Sequence, residues 1–279
     1  MSEGFSTPDV DALVVISDLH VGSTVGLCPP MTELADGSYY LPNPVQEWIW
    51  DRWIAFRVHI KERLGGRSWG LVINGDVIEG NHHQTKEIIH PDTGIHVKTA
   101  IEILEPLAKE AKATYVVRGT ECHVGTAEGA IGKVLGGQAA GKEHSAHHWS
   151  IEVNGCLCSF KHHIGSTART WTRATALGAS LANERLEALN AGRPIPRVVA
   201  RAHRHVPGLY MEPGGMLVVT PAWQALTSHG WKAVPDAIPW VGGVILDWKG
   251  VQKGGMPLVD KNQQCAITNG GKTRENQRW

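Results

Sequence analysis

The stretch ALVVISDLH, residues 12–20, joins an apolar run to an acidic residue and a histidine. The run Ala12–Ile16 has no polar alternation, which is typical of a β-strand buried on both faces. Asp18 and His20 follow at the point where such a strand ends. The stretch therefore predicts a central strand with metal-binding or catalytic side chains at its carboxyl end.

Two more buried strands are predicted downstream, separated by helical patterns. The apolar runs are Trp69–Ile73 and Thr114–Val117. One helix is predicted between Asn43, a good capping residue followed by proline, and Gly65. A second helix is predicted over Ile95–Ala111. The order β-α-β-α-β with apolar strands predicts a sheet that contains parallel strands and is covered by helices.

The second half of the chain continues with strands and one long helix. Asn154-Gly155 between two apolar runs is a strong hairpin signal, and a helix is predicted from about Thr167 to Leu189. The hairpin strands and later strands are predicted at Trp149–Val153, Cys156–Phe160, Arg197–Ala202, Leu209–Met211, Met216–Val219 and Val241–Leu246.

Length and composition indicate a globular protein. The 279 residues suit one large α/β domain or two small ones. We expect a single domain over residues 1–249, followed by a polar and mostly mobile tail over 250–279. Five cysteines without CxxC spacing favour a reducing compartment. An acidic N-terminus and the lack of a long apolar stretch predict a cytoplasmic protein that makes no membrane contact. Fifteen histidines are an excess, and histidine is the commonest metal ligand.

Carboxylate or imidazole side chains follow five of the predicted strands. In open α/β sheets, ligands bind at the carboxyl ends of the strands. A single Asp after a strand is usually a cap or a turn former, but five such ends in one chain predict a metal site, since mixed Asp and His sets suit divalent cations. The five segments are Ser17-Asp18-Leu19-His20, Asn74-Gly75-Asp76, Arg118-Gly119-Thr120-Glu121-Cys122-His123, Lys161-His162-His163-Ile164-Gly165 and His203-Arg204-His205.

These spaced motifs resemble the calcineurin-like metallophosphoesterases over about residues 12–248. The family pattern is D-x-H, G-D, G-N-H-[DE], a His followed by Gly, and G-H-x-H. The resemblance implies an α/β fold, with a two-sheet β sandwich flanked by helices in αββα layers. It also implies a phosphoesterase with two divalent metal ions, for which we favour Mn over Fe, Zn, Mg or Ni. The matching residues are Asp18-Leu19-His20, Gly75-Asp76 and Ala202-His203-Arg204-His205.

Carried over residue by residue, the resemblance assigns metal ligands. Asp18, His20 and His205 would hold the first ion. Asp76 would bridge the two ions, and His203 would bind the second.

A further histidine ligand for the second ion is either His162 or His163. Adjacent residues of a strand point to opposite faces, so we expect only one of the two to bind. We favour His163, because it comes directly before the turn, where the family ligands lie.

Two motifs depart from the family pattern. In the last motif, Ala202 replaces the usual Gly. The third motif departs further. The metal-binding Asn is missing, and the histidine comes two residues late. Either Thr120 takes the Asn position, or Glu121 supplies a carboxylate while His123 remains the catalytic imidazole. We favour Glu121, because a charged oxygen binds a divalent cation better than a hydroxyl does; a surface position for Glu121 is the alternative.

A local excess of basic residues favours a phosphate-rich substrate such as DNA, RNA or a nucleotide, although a solvated helix face would explain it equally well. Arg118, Arg204, His82 and His83 are candidate substrate contacts; paired arginines and solvated loop histidines are the alternatives. Residues 161–204 contain only Glu184 and Glu187 as acidic residues against Lys161, Arg169, Arg173, Arg185, Arg193, Arg197, Arg201 and Arg204.

Three functions fit the motifs. The favoured one is a phosphodiesterase or nuclease that uses a metal-activated water. The others are a phosphomonoesterase, including a protein phosphatase, and a phosphate-binding module that has lost productive second-metal chemistry. The combination of GTECHVG with ARAHRH is most similar to phage-encoded members of the family, which favours a nucleic acid substrate.

Overall fold

Two β-sheets organise the chain in this computed structural model, which describes residues 2–82, 85–165, 172–228, 230 and 239–265. The first sheet contains, in spatial order, β13 (Leu258–Cys265), β12 (Trp240–Asp247), β2 (Ala12–Ile16), β5 (Trp69–Asn74) and β6 (Ala113–Val117). Strands β2, β5 and β6 are parallel to one another, whereas β12 and β13 run antiparallel to their neighbours. The predicted parallel sheet is therefore confirmed.

The second sheet has six strands and contains the predicted hairpin. The turn residues Asn154 and Gly155 both have positive φ, 52° and 71°, as a two-residue hairpin turn requires. A separate small hairpin joins β3 (Thr32–Glu33) to β4 (Tyr39–Tyr40). The spatial order of the second sheet is β1 (Glu3–Ser6), β7 (His148–Val153), β8 (Cys156–Phe160), β9 (Val198–Arg201), β11 (Gly215–Val219) and β10 (Gly208–Glu212).

The first long helix, α1 (Pro44–Leu64), begins and ends as its sequence predicts. The Asn43 side chain accepts hydrogen bonds from the backbone N–H groups of Val45 and Gln46, at 2.9 and 3.1 Å. In return, the Gln46 side chain accepts one from the Asn43 backbone at 3.0 Å. This capping box satisfies N–H groups that have no partner within the helix. The helix ends at Gly65, which is left-handed with φ 57°.

Four further helices are described: α2 (Thr93–Glu110), α3 (Glu121–Val124), α4 (Ala127–Val134) and α5 (Arg173–Asn190). Helix α2 continues through Pro106. The start of the helix predicted from Thr167 lies outside the described residues. Within the described part of the chain, no helix combines the length and apolar character needed to cross a bilayer.

Three apolar clusters define four layers. Leu13 and Val15 of β2 lie in the cluster between the two sheets. Val14 and Ile16 lie in a second cluster, which also contains Trp53 of α1 and residues of α2. Because both faces of β2 are covered, its sequence is uniformly apolar. A third cluster joins α5 to the outer face of the six-stranded sheet through Leu177, Leu181, Val199 and Leu217. The predicted αββα layering is therefore confirmed.

The structure corrects the expectation of a mobile tail from residue 250. Strand β13 pairs with β12 along its whole length, from Leu258 opposite Asp247 to Cys265 opposite Trp240. Its Asp260 Oδ2 also lies 3.0 Å from Arg63 Nε of α1. Residues 258–265 therefore belong to the sheet. They escaped prediction because an edge strand needs few apolar residues, and LVDKNQQC is mostly polar. Residues 266–279 lie outside the described residues.

Candidate metal centre

Strained backbone is concentrated at the strand ends that carry the predicted ligands. Asp18, His20, Asp76, His203 and His205 all have positive φ, between 45° and 71°. Outside the hairpin turn, these are the only non-glycine residues with this conformation in the described chain. The left-handed region costs a residue with a side chain of order 1 kcal/mol or more, and such residues cluster at functional sites. The strain therefore marks this end of the sheets as the functional site.

Asp18, His20 and His205 form a first group of candidate ligands, whose atoms lie within 4.8 Å of one another. Asp18 is fully buried, and its Oδ1 accepts no hydrogen bond although His205 Nε2 is 3.3 Å away. The Nε2 atoms of His20 and His205 face each other at 3.2 Å. An unsatisfied carboxylate oxygen beside two converging imidazole nitrogens is a donor set that suits a divalent cation.

Asp76 lies at the centre of the site. Its Oδ2 is 2.9 Å from His162 Nε2 and accepts a hydrogen bond from the Thr120 hydroxyl at 3.0 Å. The same oxygen is 3.8 Å from His203 Nδ1 and 4.0 Å from His20 Nε2. Because this carboxylate reaches histidines on both sides, it occupies the position that a bridging ligand needs.

The second group of candidate ligands contains His162, His163 and His203. His162 is buried, and its Nδ1 is 2.7 Å from the Asn74 carbonyl oxygen, which fixes the orientation of the ring. The structure brings both His162 and His163 into the site. Strand alternation gives no ground for choosing between them, because β8 ends at Phe160 and the alternation does not extend to these residues. The expectation that only one of the two binds stays a prediction.

In the third motif, the structure places Thr120 rather than Glu121 beside the other candidate ligands. The Thr120 hydroxyl lies 3.2 Å from His203 Nδ1 and 3.4 Å from His163 Nε2. Helix α3 begins at Glu121, whose side chain is exposed and belongs to none of the candidate ligand groups found among the described residues. This arrangement favours Thr120, the alternative left open by the sequence, and does not support Glu121 as a ligand.

Buried carboxylates and imidazoles strongly influence one another's protonation. Burial opposes ionisation of Asp18, but His162 and His205 lower its pKa to about 2. Burial also opposes charge on His162, but Asp76 and Asp18 raise its pKa to about 10. His162 is therefore protonated at neutral pH when its carboxylate partners are its only counter-ions. A bound cation would replace that proton, so metal binding is expected to release it.

Glu79 is a buried carboxylate that the sequence analysis missed. Its Oε2 is 2.8 Å from His20 Nδ1 and accepts a hydrogen bond from the Gln224 amide at 2.9 Å. Its Oε1 is 3.0 Å from His82 Nε2, and its backbone oxygen is 2.9 Å from His123 Nδ1. Although burial raises it, the pKa of Glu79 is lowered to about 2 by His20 and the other histidines. Glu79 therefore orients three imidazole rings.

Glu128 is a second buried carboxylate that the sequence does not reveal. It accepts hydrogen bonds from the backbone N–H groups of Gly119 and Val77, at 2.7 and 3.3 Å. Burial and the nearby charge of Asp76 raise its pKa to about 8. It joins the loop after β5 to the loop after β6. The sequence of α4 does not distinguish Glu128 from a glutamate that faces solvent.

His123 lies at the rim of the site, partly buried. Its ring centroid is 4.9 Å from that of His20 and 4.1 Å from that of His82. Burial and the neighbouring His20 lower the pKa of His123. Because Glu79 holds its Nδ1, the Nε2 atom is the one placed to exchange a proton with a ligand. His83, the other loop histidine predicted to contact substrate, lies outside the described residues.

Several basic residues of the segment 161–204 have structural partners. Lys161 and Arg201 both reach Glu184 Oε2, each at 2.7 Å, and Arg185 pairs with Glu212 at 2.8 Å. These three side chains therefore form ion pairs within the protein, which leaves less positive charge to bind a polyanion.

The two arginines predicted to contact substrate have different settings. Arg118 donates to the Ser145 hydroxyl at 3.0 Å and approaches Glu143 at 3.7 Å. Arg204 is partly buried and comes between His203 and His205 in the sequence. The described contacts of the Arg118 guanidinium are therefore with residues of the loop before β7, not with the candidate metal ligands.

Gly119→Ala is expected to weaken metal binding by about 10–100-fold, the usual cost of disturbing the support of a metal ligand. A Cβ at Gly119 would lie 2.2 Å from the backbone nitrogen of Asp76 and 2.3 Å from its Oδ1, so Asp76 must move. Metal titration followed by calorimetry measures the change. Gly165→Ala, with nothing within 4 Å, is the control. Equal affinity of the two variants would contradict this expectation.

No known family model and no curated protein matches the chain. Among solved structures, it is similar to zinc-bound Vps29 from Entamoeba histolytica, with 11% identity, a TM-score of 0.44 and coverage of 92% of this chain and 99% of that one. An archaeal phosphodiesterase has 10% identity, a TM-score of 0.44 and coverage of 91% and 99%. The phosphoesterase YfcE from E. coli has 14% identity, a TM-score of 0.42 and coverage of 85% and 88%. These sequence identities and TM-scores are too low to assign a function to this chain.

Proposed function

We propose that this chain is a metal-dependent phosphoesterase of the calcineurin-like kind that binds two divalent cations. The observation that carries the proposal is the convergence of two histidine-rich groups on the buried carboxylates Asp18 and Asp76. Purely structural carboxylates would be expected to pair with Arg or Lys, as Asp247 does with Arg67 at 2.7 Å. Here the partners are imidazoles and the backbone is strained, which favours a metal site.

The proposed ligands divide into two sets around one bridge. Asp18, His20 and His205 would hold the first ion. Asp76 would lie between the two ions. The second ion would be held by histidines and one hydroxyl, namely His162, His163, His203 and Thr120. When bound, two such ions polarise a phosphoryl group and lower the pKa of water enough to supply a nucleophile at neutral pH.

The surrounding residues prepare the site for this chemistry. Glu79 and the Asn74 carbonyl fix the rings of His20 and His162 through their Nδ1 atoms, so each ring presents Nε2 to the centre. His123 is held through Nδ1 by the Glu79 carbonyl. Its Nε2 is thereby placed to give a proton to the departing oxygen of the ester.

For the substrate, we propose phosphodiesters, in DNA, RNA or a nucleotide, with Mn²⁺ as the working metal. The support is compositional: basic residues outnumber acidic ones by eight to two over residues 161–204. The pairing of Lys161, Arg185 and Arg201 inside the fold reduces this support. A phosphomonoesterase is therefore retained as the second candidate.

Metal analysis combined with a diester and monoester assay tests the proposal. The purified chain should bind about two divalent ions and lose activity on chelation. With Mn²⁺ restored, it should hydrolyse a bis-aryl phosphate faster than a mono-aryl phosphate, and binding to polynucleotides should weaken with added salt. Faster monoester turnover would select the phosphatase. Bound metal with neither activity would select a phosphate-binding module, and hydrolysis by the metal-free chain would refute the metal mechanism.

A further inference from the structure

A third group of candidate ligands lies at the rim of the site, beside the two groups already described. His82, Cys122 and His123 each offer a ligand atom, and these atoms lie within 4.8 Å of one another. The two imidazole rings are in edge-to-face contact, with centroids 4.1 Å apart. Neither His82 nor Cys122 has a role in the proposed phosphoesterase ligand sets, so this group requires its own explanation.

The contacts behind the two histidines resemble those behind metal ligands. A histidine that binds a metal through one ring nitrogen usually contacts a carboxylate or carbonyl oxygen through the other. His82 makes such a contact through Nε2 with the Glu79 carboxylate at 3.0 Å. His123 makes it through Nδ1 with the Glu79 carbonyl oxygen at 2.9 Å. One buried residue therefore orients both rings of the third group.

The chemistry of the third group differs from that of the central site. The central groups offer carboxylate, imidazole and hydroxyl donors, whereas the third group adds a thiol. Among the four cysteines with described side chains, Cys122 is exposed and Cys28, Cys156 and Cys158 are buried. A donor set of one thiolate and two imidazoles suits thiophilic borderline ions such as Zn²⁺ and Co²⁺ better than Mn²⁺ or Mg²⁺.

The separation of the three atoms is close to that of a tetrahedral zinc site. Bond lengths of about 2.0–2.3 Å place ligand atoms about 3.3–3.8 Å apart. The atoms here are within 4.8 Å, and Cys122 and His123 lie on the four-residue helix α3. Cation binding would have to draw the three atoms closer together.

We propose that His82, Cys122 and His123 form a third metal site, selective for a thiophilic divalent cation such as Zn²⁺, whose occupation inhibits the enzyme. Inhibition follows because the cation takes the Nε2 atom that His123 offers to the substrate. The inhibitory role rests on the proposed phosphoesterase function, whereas the binding site itself does not.

Cobalt binding tests the site without any activity assay. Thiolate coordination of Co²⁺ gives a charge-transfer absorption in the near ultraviolet, and the central ligand groups contain no cysteine. The full-length chain, kept reduced with a non-thiol reductant, should develop this band on titration with Co²⁺. Cys122→Ser should remove it and His82→Ala should weaken it, while Cys265→Ser, at the end of β13, should keep it. No band in the unchanged chain, or a full band in Cys122→Ser, would overturn the proposal.

Zinc inhibition tests the functional consequence. Chain loaded with Mn²⁺ should lose phosphoesterase activity as Zn²⁺ is added. Cys122→Ser should need about tenfold more Zn²⁺ or more for half-inhibition relative to its own zinc-free rate, because loss of a ligand costs at least as much as loss of its support. Equal sensitivity would overturn the inhibitory role. A chain with the cobalt band but no phosphoesterase activity would instead refute the proposed function and leave the third site standing.

Discussion

Asp76→Asn is expected to remove both metal binding and the proposed phosphoesterase activity. Asp76 Oδ2 has neighbours from three different strand ends, His162, Thr120 and His203. A neutral amide attracts a divalent cation far less than a carboxylate does. Loss of an outer partner of a metal ligand typically lowers activity by about 10–100-fold. Because Asp76 is itself a proposed ligand, we expect a larger loss.

Metal content and thermal stability must be measured together, because they should separate in this variant. The amide oxygen still accepts the hydrogen bond from the Thr120 backbone, and the substitution removes the negative charge of Asp76, which acts to raise the pKa of the neighbouring Asp18. The metal-free variant should therefore fold normally. Asp247→Asn is the matched control, because that buried carboxylate pairs with Arg67 and Arg63. It should lower stability but keep both metals. An Asp76→Asn chain that retains two ions and full turnover would exclude Asp76 from the site.

The ligands from strand ends could be predicted because strand ends carry a sequence signal. An apolar run such as ALVVI fixes where a strand stops, and the parallel pairing of β2, β5 and β6 then brings Asp18, Asp76 and the third motif to one edge. Strand order therefore predicts that these residues lie close together, whereas their division into ligands of two ions came from the family resemblance.

The supporting residues could not be predicted, because their roles depend on tertiary contacts. Glu79 and Glu128 are buried carboxylates whose partners, apart from His82, lie 9 to 145 residues away in sequence. Nothing in a stretch such as VIEG distinguishes a carboxylate that orients His20 from one on a loop surface. The choice between His162 and His163 could not be made from strand alternation, for a related reason. The alternation rule holds only inside a strand, and both residues follow the end of β8.

The second large effect is expected from His123→Ala, which should cut turnover by about 10²–10⁴-fold while both metals stay bound. The imidazole contacts Glu79 through Nδ1 and is partly buried beside His20, but it belongs to neither central ligand group of the proposed two-metal site. In the proposed mechanism, its contribution would be the proton given to the leaving oxygen. The loss should therefore be large for alkyl esters and small for esters of an acidic phenol, whose leaving group needs no proton.

Two neighbouring variants separate this catalytic role from metal binding within the same loop. Thr120→Ala removes the hydroxyl that contacts Asp76, His163 and His203. It should weaken the second metal and be rescued by excess Mn²⁺, with an equal loss for good and poor leaving groups. Glu121→Ala changes an exposed side chain at the start of α3 and should leave metal content and turnover unchanged. Measuring metal content and leaving-group dependence for all three variants decides the assignment. If His123→Ala lost metal, or if Glu121→Ala lost the second ion while Thr120→Ala kept it, the roles given to this loop would be reversed.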